Sequence, residues 1–315
     1  MTCWCNTLTV VLFGLISCGK AQVSVPANIE VRHDVPYADT KNSRQTLDLF
    51  LPKTKSEQPL PLIISIHGGG WSSGDKTDAF VGILHLLLQE GKFAGASINY
   101  RLTNETRWPE QIYDCKAAIR WLRAHAKELN IDPQKFGVIG GSAGSHLACL
   151  LGTSGDVAEL EGNLGADLTT SSRVQCVVNI CGPINFLTIG QYPSDISWNE
   201  AKSIGGKLLG GAIPALQEVA RQASPITYIT TDDPPFLSAH GTRDTIVPFE
   251  QATEFNQALK KAGVPQVLII GKDGEHAFFH KDVMTRERLF LEKWLLARDH
   301  LIAMKDATIT IPPKK

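Results

Sequence analysis

The sequence predicts one α/β domain with a mainly parallel sheet and helices on both of its faces. Short apolar runs alternate with segments in which apolar residues recur every three or four positions. Continuous apolar runs are typical of strands buried on both faces, as in parallel sheets. At 315 residues, the chain is long enough for one large core and needs no second domain. The predicted strands cover 62–66, 93–100, 135–139, 174–180, 235–239 and 267–271.

Helical periodicity fills the gaps between these strands. A helix is predicted to open at Pro109, where proline suits the first turn. A second helix carries Phe255 and Leu259 and ends at Gly263, and 289–296 belongs to a final helix. The apolar stripe of the first helix, which we expect to pack on the sheet, consists of Ile112, Cys115, Ile119, Leu122, Ala126 and Leu129.

Three stretches interrupt this alternation. Residues 152–173 are polar and are predicted to form a loop, and residues 185–228 form a long insertion that we expect to cap the functional site. Residues 305–315 lack periodicity, so a mobile tail is predicted there.

The most informative motif is Gly140-Gly141-Ser142-Ala143-Gly144, between a predicted strand and a helix-forming stretch. A Gly-x-Ser-x-Gly sequence in this context places a serine on a sharp turn, with its hydroxyl exposed as a nucleophile. Glycines flank the serine because a Cβ would press on the neighbouring chain in so tight a turn. A glycine-rich turn without chemistry is the alternative for the motif taken alone.

A second motif, His67-Gly68-Gly69-Gly70-Trp71, directly follows the first predicted strand. Adjacent glycines leave backbone N–H groups unshielded, and such donors stabilise the oxyanion of acyl transfer. We therefore predict the N–H groups of Gly69, Gly70 and Ala143 as oxyanion donors. Trp71 is a candidate substrate contact, and we expect His67 to brace the loop by hydrogen bonds.

An acid and a base are expected after the serine, each at the end of a strand. Asp244 follows the predicted strand 235–239, and His276 follows the strand 267–271. Imidazole has a pKa suited to taking the serine proton, and a carboxylate orients the imidazole. His280 is the rival base, but it lies in a stretch that starts a helix. Asp232 and Asp233 are rival acids, but they precede two prolines and are predicted to end a loop rather than to orient the base. His146 and His240 are interpreted as structural.

Together these motifs resemble the α/β-hydrolase superfamily, in particular esterases with a His-Gly-Gly-Gly-Trp oxyanion motif. That branch includes hormone-sensitive-lipase-like esterases and bacterial feruloyl and acetylxylan esterases. The resemblance implies an α/β-hydrolase catalytic domain over 22–304, with Ser142 as nucleophile, His276 as base and Asp244 as acid. The long N-terminal helical cap of the hormone-sensitive-lipase-like members is missing, which implies a relatively open acyl pocket.

The same resemblance implies a serine carboxylic-ester hydrolase that needs no cofactor or metal. Its substrates would be short-chain acyl esters, or acetyl and feruloyl esters of plant polysaccharides. Arylformamidases share a similar His-Gly-Gly-x-Trp pattern and are the alternative chemistry, although export argues against them. A non-catalytic binding protein with this fold is the other alternative, and the complete set of three side chains argues against it.

The net charge of the chain argues against one class of binding partner. The net charge of −1 provides no basic field for a nucleic acid partner.

Residues 1–21 resemble a secretory signal peptide, with an apolar run at 8–16 that is too short to span a bilayer and small residues before Gln22. Export is therefore predicted. Lipoprotein processing at Cys18 and a short buried helix are alternatives, and no basic residue precedes the apolar run.

Four of the seven cysteines lie beyond this segment. Cys176 and Cys181 share a predicted strand, where five residues would hold them about 16 Å apart, too far for a disulfide. Cys115 and Cys149 are predicted to be small core residues, and a bridge between them stays open. No cysteine and histidine spacing indicates a metal site.

Overall fold

The computed structural model describes residues 24–78, 80–276, 278–299 and 304–312. The predicted signal segment 1–21 and Cys18 lie outside the described residues. Nine strands form one sheet in the order β1-β2-β4-β3-β5-β6-β7-β8-β9. β2 pairs antiparallel with β1 and β4, and the pairings from β4 through β3 to β9 are parallel. The strands are β1 Ile29–Pro36, β2 Thr46–Pro52, β3 Leu60–Ile66, β4 Ala94–Ile98, β5 Ile131–Gly141, β6 Cys176–Ile180, β7 Phe236–Gly241, β8 Gln266–Lys272 and β9 Ala307–Thr310.

Helices cover both faces of the sheet, as the sequence predicted. They are α1 Val81–Leu88, α2 Glu110–Ala124, α3 Ala126–Leu129, α4 Ala143–Thr153, α5 Ile204–Leu209, α6 Gln217–Gln222, α7 Glu250–Ala262 and α8 Lys281–Leu296. Alternate side chains of each central strand enter different cores: Ile64 packs in the layer with α2, α4 and α7, and Ile63 packs in the layer with α1 and α8. This period of two in the strands is what a sheet buried on both faces requires.

Most strand predictions are correct to within a few residues at either end. The apolar stripe that opens at Pro109 is buried, but His125 divides it between α2 and α3. Gly263 ends α7 with a φ of 78°, a left-handed conformation that glycine adopts without strain. Cys115, Cys149, Cys176 and Cys181 are all buried and free.

The prediction of a mobile tail from 305 is wrong for Ala307–Thr310, which form β9 and pair parallel with β8. Asp306 Oδ1 accepts a hydrogen bond of 2.7 Å from the backbone N–H of Leu268, and Ile311 is buried in the layer with α8. A strand of four residues is too short for its alternation to stand out in the sequence.

Several short helices lie between β6 and β7, in the predicted cap insertion. They include α5, α6 and single 3₁₀ turns. A Cβ built on Gly70 would lie 3.3 Å from Ile204 Cγ2, so α5 packs directly on the loop that follows β3. Phe186 and Trp198 of this segment are almost fully buried and pack against each other within the core layer that includes α2, α4 and α7.

Candidate active site

Ser142 lies on a strained turn between β5 and α4. Its φ of 54° and ψ of −121° are unusual for a residue with a side chain. The turn is held by a 2.8 Å hydrogen bond that the Ser142 N–H donates to the Ile180 carbonyl. Gly144 has no room for a Cβ, which would collide with the backbone at Ile66 and His67. Gly144 is therefore needed for the close approach of α4 to the end of β3, whereas Gly140 is needed within the turn, where a Cβ would collide with Gly144 and Ser145.

Ser142, His276 and Asp244 form one hydrogen-bonded chain. His276 Nε2 lies 3.0 Å from Ser142 Oγ, and His276 Nδ1 lies 2.7 Å from Asp244 Oδ2. The three residues follow β5, β7 and β8, so they meet at the carboxyl edge of the sheet, where open α/β sheets hold their ligands. The serine and the histidine are partly exposed, whereas the aspartate side chain is fully buried.

The rival residues lie elsewhere. His280 caps the start of α8, where its Nδ1 accepts from the Asp282 N–H. Asp232 is exposed and forms an ion pair with Arg173. Asp233 accepts from Thr230. Neither acid contacts His276 in the described part of the chain.

Asp244 is strongly held as a carboxylate. Its Oδ1 accepts two backbone hydrogen bonds of 2.9 Å, from the N–H groups of Ile246 and Val247. Its Oδ2 lies 2.7 Å from His276 and 3.1 Å from His240. Burial would raise the pKa of Asp244, but hydrogen bonds from His240 and His276 outweigh burial and lower that pKa below its ordinary value.

Cys181 lies beside the histidine and the aspartate, a position that no sequence pattern predicted. It follows β6 with a φ of 48° and is fully buried. One ligand atom each of Cys181, Asp244 and His276 falls within 4.8 Å of the others, a spacing at which side chains can hold a metal ion. The aspartate and the histidine are already hydrogen-bonded to each other. Burial lowers the pKa of His276, but Cys181 and Asp244 outweigh burial and raise it above its ordinary value.

The loop after β3 lies next to the serine. A Cβ built on Gly68 would be 2.9 Å from the Gly141 carbonyl oxygen and 3.5 Å from Ser142 Cβ. Gly69 and Gly70 have φ values of 102° and 58°, in the region that favours glycine. Among the hydrogen bonds of the described residues, none uses the N–H of Gly69, Gly70 or Ala143 as donor. The N–H groups of Gly69, Gly70 and Ala143 remain the predicted oxyanion donors.

His67 braces this loop. It is buried, its ring stacks on Tyr100 at 4.4 Å, and its Nε2 lies 3.0 Å from Arg44 Nη2. Since the guanidinium can only donate, Nε2 accepts and Nδ1–H donates to the Gly68 carbonyl at 2.8 Å. Burial lowers the pKa of His67 to about 4, so the ring is neutral.

Trp71 does not fit the expectation of a substrate contact. Its side chain is only 1% exposed, and its Nε1–H donates to His146 Nδ1 at 3.2 Å. His146 in turn donates from Nε2 to the Ala223 carbonyl at 2.6 Å, and burial lowers the pKa of His146 to about 4. We correct the assignment: the indole fixes the end of the glycine loop, and its packing leaves no face for a ligand.

The sheet order, the serine on its turn and the hydrogen-bonded histidine and aspartate define the class of this protein as an α/β-hydrolase. The chain belongs to the BD-FAE family, whose model matches residues 47–259. Among the described residues, no helix is both long enough and apolar enough to cross a membrane.

Named relatives agree with this family. The chain is 33% identical to Esterase LipC of Mycobacterium tuberculosis over 240 residues, which are 75% of this chain and 57% of LipC. It thus spans little more than half of that relative. A truncated carbohydrate esterase from gut microbiota superposes with a TM-score of 0.79 at 30% identity, over 87% of this chain and all of that one. An acetyl ester-xyloside bifunctional hydrolase from Caldicellulosiruptor lactoaceticus gives a TM-score of 0.63 at 27% identity, over 87% and 94% of the two chains.

Proposed function

We propose that this protein is a serine carboxylic-ester hydrolase that works through an acyl-enzyme on Ser142. The observation that carries the proposal is the continuous hydrogen-bonded chain from Ser142 Oγ through His276 to Asp244 Oδ2, at 3.0 and 2.7 Å. The family and the esterase relatives support the same chemistry. An arylformamidase or a binding protein has no comparable support.

The first half of the reaction forms the acyl-enzyme. Ser142 Oγ attacks the ester carbonyl carbon while His276 Nε2 takes the hydroxyl proton. The carbonyl oxygen becomes an oxyanion, which the N–H groups of Gly69, Gly70 and Ala143 stabilise. As the C–O bond breaks, His276 returns the proton to the leaving alcohol.

Water completes the cycle. It attacks the acyl carbon, gives its proton to His276 and releases the carboxylic acid, while Ser142 regains the proton. Asp244 remains ionised throughout and keeps the Nδ1 proton of His276 in place, so that Nε2 faces the serine as an acceptor. The buried, four-donor setting of the Asp244 carboxylate supports this role.

For the substrate, we propose short acyl esters carried by carbohydrates, such as acetyl groups on plant polysaccharides. Two structural neighbours are described as a carbohydrate esterase and as an acetyl ester-xyloside hydrolase, and both share the fold over most of this chain. The packing of Ile204 over Gly70 supports a small space beside the oxyanion donors, with α5 as its cap. Feruloyl esters are larger and are the second substrate to compare.

We also propose that the protein is exported, on the basis of the apolar segment before Gln22. The N-terminal sequence and mass of the protein recovered from a secreting bacterial host test this. A chain that begins at Gln22 supports cleavage by signal peptidase, and a lipid-modified N-terminal Cys18 supports anchoring. An unprocessed Met1 would contradict export.

The function is tested with p-nitrophenyl acetate, butyrate and decanoate, followed by acetylated xylan and methyl ferulate. We expect the acetate to be turned over fastest and Ser142→Ala to be inactive. A fluorophosphonate should add its mass to Ser142 in the wild-type chain and to no residue in Ser142→Ala. Hydrolysis that survives in Ser142→Ala, or a wild-type chain that is inert towards every ester and the fluorophosphonate, would contradict the proposal.

A further inference from the structure

His240 lies in β7, four residues before Asp244, and its side chain is fully buried. Its Nε2 faces two oxygens, the Val247 carbonyl at 2.9 Å and Asp244 Oδ2 at 3.1 Å. Both oxygens are acceptors, so Nε2 carries the hydrogen, which is bonded to the Val247 carbonyl and lies close enough to Asp244 Oδ2 to stabilise it as well. Nδ1 is buried and has no hydrogen-bond partner among the described residues, so Nε2 makes both polar contacts of the ring.

The contacts to Asp244 divide between its two oxygens. Oδ1 is fixed by the backbone N–H groups of Ile246 and Val247. A carboxylate gripped at one oxygen can still pivot about that oxygen, which would move Oδ2 relative to His276. His240 is the second donor to Oδ2, and unlike His276 it belongs to a strand of the central sheet. The second contact therefore ties the plane of the carboxylate to the rigid part of the fold.

We propose that His240 is a positioning residue that acts through Asp244, because its Nε2–H fixes Oδ2 at the place where His276 meets it. This inference rests on the proposed function. It assigns a role in catalysis to a histidine that the sequence indicated to be structural. His240 touches neither Ser142 nor the substrate in this role; it reduces the freedom of the acid that orients the base.

Two amide variants of His240 test whether an N–H donor must reach Asp244 Oδ2. In His240→Gln the side-chain NH₂ reaches the position of Nε2, whereas in His240→Asn it stops near the position of Nδ1 and leaves Asp244 Oδ2 without its second donor. The two variants have the same chemistry and differ by one methylene. We expect kcat for p-nitrophenyl acetate to fall on the order of tenfold in His240→Asn and by about threefold or less in His240→Gln, with KM within about twofold of wild type in both.

A spectroscopic readout accompanies the kinetics. The low-field proton resonance of the His276 Nδ1–H to Asp244 hydrogen bond should stay sharp in His240→Gln and weaken in His240→Asn. Phe249, whose ring lies edge-on to His240 at 5.9 Å, provides the packing control. Phe249→Leu removes that packing and no hydrogen bond to Asp244, so its kcat should stay within about twofold of wild type.

Equal kcat values in the two amide variants would overturn the inference, as would a loss in Phe249→Leu that matches the loss in His240→Asn. Ser142→Ala separates this result from the proposed function. If Ser142→Ala is inactive while both His240 variants match wild type, only the positioning role fails. If Ser142→Ala retains activity, the proposed function fails and the role of His240 with it.

Discussion

Asp244→Asn changes one atom of the proposed site, and the structure determines how the amide will sit. The N–H groups of Ile246 and Val247 both point at the position of Oδ1, so the amide oxygen must stay there. The amide NH₂ then occupies the position of Oδ2, where it faces His276 Nδ1. Since an NH₂ group can only donate, Nδ1 must become an acceptor and the His276 proton moves to Nε2. A protonated Nε2 points at Ser142 and cannot take its proton.

We therefore expect Asp244→Asn to remove general-base catalysis by His276, which is a larger loss of kcat than the removal of one weak hydrogen bond would cause. The same change of tautomer costs about 10⁴ in kcat in the best-studied serine triad, or about 5.4 kcal/mol in the barrier. KM should change little, because Asp244 is buried behind His276 and contacts no substrate. Binding and the oxyanion donors are left intact.

The assay is steady-state hydrolysis of p-nitrophenyl acetate by wild type and Asp244→Asn, with circular dichroism to compare the folds. Asp232→Asn is the matched control, because Asp232 is an exposed acid that pairs with Arg173. Its kcat should stay within about twofold of wild type, since exposed ion pairs contribute little. A well-folded Asp244→Asn enzyme that keeps more than about a tenth of the wild-type kcat would refute the assignment of Asp244.

Three further changes test other parts of the structure. Cys181→Ala removes a group that raises the pKa of His276. Because the base must be neutral to act, activity falls as the pH drops through that pKa. The acid limb of the pH profile of kcat/KM should therefore move to lower pH in this variant. An unmoved limb would contradict the contact. Gly68→Ala places a Cβ 2.9 Å from the Gly141 carbonyl oxygen, so the loop after β3 must shift. We expect kcat to fall by about 10²-fold, because the oxyanion donors move with the loop. A wild-type kcat would show that the loop accommodates the Cβ without displacing the donors. Ile311→Ala should lower the free energy of unfolding by roughly 2 kcal/mol or more in a urea titration, and no change would mean that the segment after β9 adds nothing to the core.

The sequence was sufficient for the α/β architecture because its physical cause is local. A strand buried on both faces must be apolar throughout, and a helix that covers a sheet must repeat its apolar residues every three or four positions. The glycines around Ser142 could also be interpreted from the sequence, because a tight turn that packs against another segment of the backbone has no room for a Cβ. His276 and Asp244 were preferred over His280 and Asp232 from their places after strands, and the structure brings the preferred pair together at 2.7 Å.

The errors arose where a residue's surroundings come from distant parts of the chain. Trp71 stood beside the glycine motif and looked available to a ligand, but its indole is buried against His146 from α4. Residues 307–310 lack a strong pattern because β9 is a short edge strand, held mainly by its pairing with β8. Such pairing cannot be read from a four-residue segment alone.

By itself, the sequence determined the fold class, the strained serine turn and the glycine loop, because short-range sterics and hydrophobic periodicity fix these features. Only the tertiary structure decided what surrounds the Asp244 carboxylate. Cys181 from the end of β6 and His276 after β8 approach it because parallel strands bring their carboxyl ends to one edge, whereas His240 meets it across the turn that follows β7. The burial of Asp244 and its contacts with His276 and Cys181 set the charge and orientation of the acid and the base, and these contacts join residues far apart in the chain.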